Sequence, residues 1–313
     1  MLWFVLRRLA AGVVLIVAIA VLAFFLLYAT GGDVGRRILG PTASADTVAQ
    51  KNTQLGLDKP ALSQFADWAS GAVRGDFGRS WFTGQSVSDA VTGRLAVTLS
   101  LVIGATVLTA VVAVVLGVLA ARRGGWVDTA VQFLSVLGFA VPGFLVAILL
   151  VLVFAINLDL VDPTGYTRFA DSPSGWLSSI LLPVIALSIA SIVGVAQQVR
   201  GSMLDTLRLD YVRTLRSRGL SERRVVYGHV LRNAAGPALS ILGVQFVGLL
   251  GGAVLVEQIF AIPGIGQTAV SATVGGDVPL VLGVVIATAV LVVLLNLAVD
   301  LLQGWLNPKV RRA

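Results

Sequence analysis

The sequence predicts an all-α, polytopic membrane protein with six transmembrane helices, and three observations support this prediction. Hydrophobic residues make up 57% of the 313 residues, whereas 12% are charged, which is about half the share found in soluble domains. Mean hydropathy is +0.91, and six apolar runs are each long enough to cross a hydrocarbon core of about 30 Å. Positive charge is concentrated in segments that would share one side of the membrane, as cytoplasmic loops require.

The six spans are predicted to be separated by polar segments that alternate between the two sides of the membrane. With both ends inside, 15 of the 23 Lys and Arg residues lie on the predicted inner side and 8 on the outer side, which agrees with the positive-inside rule. The predicted spans are Leu9–Thr30, Leu95–Ala121, Thr129–Ile156, Trp176–Val199, Ala238–Ile259 and Leu280–Trp305.

Two of these spans can be interpreted in more than one way: the first as a span or a cleaved signal peptide, and the kink in the third as functional or structural. The first follows Arg7 and Arg8. Its apolar core is too long for a cleaved signal peptide, and no A-x-A cleavage site follows at the right distance. The third contains Gly138 and the pair Pro142-Gly143, so we expect a kink there. Such a kink either lines a transport pathway or serves helix packing alone.

We divide the chain into four parts. Residues 1–30 are an inner N terminus with the first span, residues 31–94 an outer polar loop, residues 95–306 a five-span core, and residues 307–313 an inner tail. The outer loop is too short for a large core of its own, so we expect a small external helical cap with turns at residues 56–60 and 75–80. Trp68 and Trp81 within it either pack inside the loop or contribute to the docking of another protein.

The central loop, residues 200–237, is the longest polar segment in the second half of the chain. Its pattern is helix, break, helix: apolar residues recur at helical spacing up to Leu215, Gly219 follows as a stop signal, and Ser221-Glu222 offers a new start. We expect two short amphipathic helices at a sharp angle, which could dock into another protein. The alternative is a basic anchor to anionic lipid. Its eight arginines are Arg200, Arg208, Arg213, Arg216, Arg218, Arg223, Arg224 and Arg232.

The run D-Y-V-R-T-L-R-S-R-G-L-S-E-R-R-V-V-Y-G-H-V-L-R-N resembles the "EAA" coupling loop of ABC importer permeases, in the dipeptide/oligopeptide/nickel family. The likeness is greatest to the dipeptide permease B-type subunit. Further resembling stretches are Gly32-Asp33, S-V-L-G-F-A-V-P-G-F around Pro142, residues 257–266 and residues 277–279. The sequence departs from the family pattern at Leu215, which is bulkier than the small residue usual there. The matching loop positions are Asp210, Tyr211, Val212, Arg213, Gly219, Arg224, His229 and Asn233.

This resemblance implies a type I ABC importer permease fold in which the loop forms cytoplasmic coupling helices. It implies ATP and magnesium bound by two separate ATPase subunits or domains, a second homologous permease subunit, and a binding protein that docks outside. It also implies a plasma (inner) membrane location with both termini in the cytoplasm. Family members import dipeptides, oligopeptides, nickel or other small solutes, and we expect a peptide substrate here.

The pathway itself is predicted from polar and kinked positions within the spans. A lining of Ser, Thr, Asn and Gln side chains, together with backbone opened at kinks, suits a neutral or zwitterionic solute. Asp300 is the ionisable residue that we place inside a predicted span, near its inner end, where a structural role is favoured over a proton relay. The candidate pathway residues are Pro142, Gly143, Ser188 and Gln245.

Several other classes of function are disfavoured by composition. None of the three lysines follows glycine, so there is no phosphate-binding loop, and we expect no cofactor in this chain. The chain has no cysteine, and its one histidine, His229, lacks partners for a metal site or a catalytic dyad. Charge is sorted by membrane side, which argues against nucleic acid. A stand-alone secondary transporter remains the alternative, whereas a membrane enzyme has no catalytic constellation to support it.

Overall fold

The computed structural model describes residues 2–30 and 33–306, and the side chains of residues 5–29 and 33–303. The predicted inner tail, residues 307–313, and Gly32 lie outside these residues. The described part contains α-helices and no strand, which confirms the all-α prediction. The helices are α1 (Leu2–Thr30), α2 (Val34–Leu39), α3 (Ala45–Gln54), α4 (Ala61–Ala72), α5 (Val87–Arg123), α6 (Gly125–Ala140), α7 (Gly143–Leu150), α8 (Pro173–Leu207), α9 (Asp210–Ser217), α10 (Glu222–Arg224), α11 (Leu231–Ile259), α12 (Ile265–Gly275) and α13 (Val278–Leu306).

Five helical stretches of the described chain are long and apolar enough to cross a membrane singly, and a bent pair makes a sixth crossing if it counts as one span. Several of these helices are longer than the predicted spans, because polar turns at their ends continue the helix. The second span, for example, begins at Val87 instead of Leu95, and the fourth continues from Val199 to Leu207. Hydropathy delimits the apolar part of a helix, not the helix itself.

The third predicted span is broken, where the sequence predicts a kink. Helices α6 and α7 meet at 93°, with Val141 and Pro142 in extended conformations between them. Proline lacks an N–H group and disfavours helical geometry in the residue before it, which accounts for the position of the break. A π-helix, Val151–Asn157, then continues α7.

The described chain forms two compact units. The first unit contains residues 98–262 and 295–306, and α8 lies at its centre against α6, α7 and α11. Its buried cluster joins α5, α8, α9, α11 and the π-helix Val225–Val230 through small and β-branched residues and one methionine. We call this set the coupling core: Ala113, Val118, Ala121, Val195, Ala196, Val199, Met203, Val212, Val225, Val226, Val230 and Ala234.

Helices α5 and α8 approach each other closely at Gly117. A Cβ atom at this position would lie 2.7 Å from the Val199 side chain and 2.8 Å from the Ala196 carbonyl oxygen. Both distances are far inside van der Waals contact. The helices can therefore pack at this separation only because residue 117 has no side chain.

We expect Gly117→Ala to destabilise the chain by about 1–3 kcal/mol, because the added methyl group overfills a packed contact. Thermal unfolding of the purified chain in detergent measures this. Gly93→Ala is the matched control in the same helix, since a Cβ at Gly93 meets no atom within 4 Å. Equal unfolding temperatures for the two variants would contradict the close approach of α5 and α8 at Gly117.

The second unit contains the described residues 2–30, 33–97 and 263–294. In its polar region, Asp33 and Ser44 accept hydrogen bonds from backbone N–H groups at the starts of α2 and α3. Aromatic rings of α1 and α4 pack together, with the Phe24 and Phe65 ring centroids 5.2 Å apart. Glycines in left-handed conformations lie at Gly56 and Gly75, within the two stretches that the sequence predicts to be turns.

A buried carboxylate organises the segment that precedes α5 in this unit. Asp277 is 3% exposed, accepts a hydrogen bond of 2.5 Å from the Ser80 hydroxyl, and accepts another of 3.2 Å from the Trp81 N–H. The Ser80 oxygen in turn accepts from the backbone N–H of Phe82 and Thr83. These four bonds hold residues 80–83 against the start of α13.

The region between α11 and α13 differs from the prediction in two ways. Helix α12 follows the turn at residues 260–264 and lies in a segment for which the sequence predicts no helix. Glu257 is fully buried in α11, and its carboxylate accepts a 2.5 Å hydrogen bond from Thr98. The choice of Asp300 as the ionisable residue within a span therefore overlooked Glu257, although Glu257 lies near the end of the predicted fifth span, Ala238–Ile259.

Candidate coupling surface

The short helix α9 carries the first half of the predicted coupling loop. It begins at Asp210, after Leu209 in an extended conformation (φ −70°, ψ 144°), and ends at Ser217. The sequence predicts one helix continuing through Leu204, Leu207, Tyr211 and Leu215, but Leu204 and Leu207 belong to α8. No glycine or proline lies between Thr206 and Asp210, so local sequence does not predict this break.

Gly219 ends α9 in a left-handed conformation with φ +80°. Its N–H donates to the Arg216 carbonyl (2.9 Å), and the Leu220 N–H donates to the Leu215 carbonyl (3.3 Å). This is the Schellman pattern, which satisfies carbonyl groups at the end of a helix and favours glycine at the left-handed position. The glycine stop predicted from sequence therefore has its expected conformation.

One face of α9 is anchored in the coupling core. Val212 is completely buried there, and Tyr211, Leu215 and Leu220 pack around it. Burying a valine side chain contributes about 1.5–3 kcal/mol, so α9 is held by its apolar face to α5, α8 and α11. A displacement of α9 must therefore act on those longer helices.

Two side-chain contacts link α9 to the chain that follows it. The Asn233 amide donates a 2.8 Å hydrogen bond to the Tyr211 hydroxyl oxygen. The Arg216 guanidinium makes a two-pronged ion pair with Glu222, at 2.7 Å and 3.0 Å. This pair spans the Gly219 turn. We did not predict it, although opposite charges six residues apart around a glycine turn are a usable signal.

The opposite face of α9 is exposed and basic. The side chains of Asp210 and Arg213 are 97% and 80% exposed, and their 4.0 Å ion pair contributes little stability in solvent. Leu209, an apolar residue that we did not single out, is 51% exposed beside them. Within residues 208–224, six exposed arginines outnumber two acids: Arg208, Arg213, Arg216, Arg218, Arg223 and Arg224 against Asp210 and Glu222.

The second half of the loop differs from the prediction of a separate short helix. Helix α10 passes into a π-helix, Val225–Val230, and then directly into α11. Pro237 lies inside α11, so residues 222–259 form one continuous helical stretch. Arg224 is exposed near its start, and His229 is half-buried in the π-helix. No group of three or more potential metal ligands occurs among the described residues.

The four candidate pathway residues lie in different environments of the first unit. Pro142 and Gly143 are exposed at the break between α6 and α7. Gln245 is half-buried, and its amide lies where a Cβ at Gly194 would be only 2.6 Å away. Ser188 is 1% exposed, and its hydroxyl donates to the Ile185 carbonyl. Ser188 therefore lines no surface in this conformation, whereas the other three residues are at least partly exposed and remain candidates for lining the pathway.

We expect Tyr211→Phe to loosen α9, because it removes the hydrogen bond from Asn233 and keeps the ring. A neutral hydrogen bond contributes about 1 kcal/mol, so amide hydrogen exchange within α9 should accelerate by about fivefold. Tyr227→Phe is the control: its hydroxyl meets Arg122 only at 3.5 Å, while the ring keeps its contact with that guanidinium. Equal exchange rates in the two variants would contradict the role of the Tyr211 bond.

These features define a class of protein. Several membrane-crossing helices, a short helix anchored by its apolar face to three of them, and an exposed basic surface on that helix are the architecture of a transport permease driven by a partner. The comparisons with known proteins agree. The chain belongs to the family of binding-protein-dependent transport system inner membrane components, whose model matches residues 113–312, and the model for the N-terminal part of these components matches residues 1–102.

Relatives of known description cover almost the whole chain. A candidate peptide transport system permease protein of Brucella abortus (strain 2308) is 40% identical over 308 residues, which is 98% of each chain. The oligopeptide transport system permease protein AppB of Bacillus subtilis (strain 168) is 33% identical over 98% of each chain. The glutathione transport system permease protein GsiC of Escherichia coli (strain K12) is 35% identical over 99% of each.

A solved structure shares the fold. It is the inward-facing MetNI methionine ABC transporter, at a TM-score of 0.56 and 15% identity, with 69% of this chain and 96% of that chain covered. Together with the family match, it confirms the predicted permease fold and the resemblance given by the coupling loop. The chain is a multi-pass inner membrane permease component of a family that works with ATPase and binding-protein partners.

Proposed function

We propose that this chain is the transmembrane permease subunit of an ATP-driven ABC importer for short peptides. The main support for this proposal is the arrangement of α9, which is anchored in the coupling core through Val212 and presents an exposed basic face. Relatives that cover almost the whole chain are named as oligopeptide and glutathione permeases, which supports a peptide substrate.

The proposed assembly contains a second, homologous permease subunit, two nucleotide-binding subunits or domains, and a solute-binding protein. The nucleotide-binding partners hold ATP and magnesium. We place the coupling surface and both termini in the cytoplasm, because the central loop carries eight arginines and short basic loops stay on that side. The polar region 33–86 then faces outward, where the binding protein delivers its solute.

In the proposed mechanism, closure of the nucleotide-binding subunits displaces α9. The exposed residues Asp210, Arg213 and Arg224 contact the partner, and Val212 passes the displacement to α5, α8 and α11 through the coupling core. Rocking of these helices opens the pathway alternately to each side. Pro142, Gly143 and Gln245 are the proposed lining residues. Ser188, buried in this conformation, is omitted.

Transport by the assembled complex in proteoliposomes tests this function. We expect uptake of a short peptide with ATP on the coupling-surface side and the binding protein on the other, without any proton or sodium gradient. Vanadate, which traps ABC ATPases, should stop it. Uptake that ignores ATP and follows an ion gradient would instead establish a secondary transporter and refute the proposal.

A further inference from the structure

A cavity of about 900 Å³ lies within the second unit, in the polar region next to the end of α1. This volume is in the range of small-molecule sites, which combine apolar and aromatic walls with a few polar groups. Aromatic rings of Tyr28, Trp68 and Trp81 line it, and Asp33, Asp58 and Asp67 supply carboxylates. None of these residues belongs to the coupling surface or to the candidate pathway.

Two of the three carboxylates already have partners within the chain. Asp67 forms a 2.7 Å ion pair with Lys59, and this contact raises the pKa of the lysine. Asp33 accepts a hydrogen bond from the Asn52 amide, which is the main reason that the pKa of Asp33 lies below its usual value. It also pairs with Arg36 at 3.4 Å. Lys59, the one lysine that lines the cavity, is therefore already paired with a carboxylate of the chain.

Two polar groups of the lining have no hydrogen-bond partner among the described residues. Asp58 is exposed and makes no hydrogen bond or salt bridge with any described residue. Its charge acts on the neighbouring Lys59, whose ammonium group is bonded to Asp67. The Trp68 Nε1–H group is buried and finds no acceptor among the described residues. Buried donors in proteins are almost always paired, so this N–H is suited to an acceptor from outside the chain.

We propose that this cavity binds the amino end of a short peptide, with the ammonium group held by Asp58 beside the aromatic rings and a peptide carbonyl oxygen accepting from Trp68 Nε1–H. Cations are attracted to carboxylates and to the faces of Trp and Tyr rings. The proposal deepens the proposed function, on which it rests for the substrate class. It adds a peptide site to the permease chain itself, on the side where solute arrives.

The site is tested by equilibrium binding of trialanine to the purified full-length chain in nanodiscs, without ATP or partner subunits. N-acetyl-trialanine, which lacks the ammonium group, should bind at least about tenfold more weakly, as expected for loss of a charge-assisted hydrogen bond. Asp58→Asn should weaken trialanine binding by a similar factor. Trp68→Phe, which keeps a ring, should weaken it about fivefold.

Asp46→Asn is the matched control, because Asp46 is an exposed carboxylate in α3 that does not line the cavity; its affinity should equal that of the natural chain. Equal affinity for the acetylated peptide, full affinity in Asp58→Asn, or no binding at about 10 mM, where even a weak site is occupied, would overturn the proposal. Occupancy by phosphatidylethanolamine that excludes trialanine would also overturn it. ATP-dependent uptake does not enter this measurement, so the site and the proposed function can fail separately.

Discussion

In Gly219→Val, we expect peptide-stimulated ATP hydrolysis by the assembled transporter to fall by about tenfold or more, while the chain still inserts into the membrane. Residue 219 has φ +80°, a left-handed conformation that costs a β-branched residue about 1–2 kcal/mol or more. An energy difference of about 1.4 kcal/mol changes an equilibrium tenfold. Relief of the strain breaks the bonds that Gly219 and Leu220 make to the end of α9, and α9 loses its position.

Gly219→Asn is the matched control for this experiment, because asparagine enters the left-handed region more readily than valine. It should retain most of the stimulated activity. Space does not explain the difference, since a Cβ at Gly219 meets no atom within 4 Å. Normal coupling in Gly219→Val, or equal loss in both variants, would refute the conformational argument.

For Asp277→Ala, we expect the largest loss of stability in the second unit. The change removes the acceptor for the Ser80 hydroxyl and for the Trp81 N–H, and each buried group left unpaired costs about 1–3 kcal/mol. Residues 80–83 should then separate locally from the start of α13. Tryptic cleavage after Arg79 measures this directly, and we expect it to accelerate strongly.

Asp277→Asn keeps one carbonyl acceptor and should lie between the natural chain and Asp277→Ala. Asp89→Asn controls for loss of negative charge, because Asp89 is exposed in the first turn of α5. An unchanged cleavage rate in Asp277→Ala would show that Ser80 and Trp81 are held by other contacts.

The break that creates α9 shows where local sequence stops being informative. Apolar spacing from Leu204 to Leu215 is continuous, so periodicity predicts one helix, yet the chain breaks at Arg208 and Leu209. The break lets Val212 enter the coupling core, and local residues cannot encode the space available there. The opposite error occurs after Ser221, where the predicted short helix continues to Ile259 because Pro237 is accommodated within α11.

The sequence by itself determined the all-α class, the approximate positions of the membrane-crossing helices, the glycine stop at residue 219 and the resemblance to importer permeases. These depend on hydropathy, on backbone conformational preference and on a long motif, all of which are local properties. The tertiary structure decided which side chains meet across distant segments: Ser80 with Asp277, Thr98 with Glu257, and Tyr211 with Asn233. Such pairs are separated by 22 to 197 residues, and only packing of the helices brings their polar atoms within hydrogen-bonding distance.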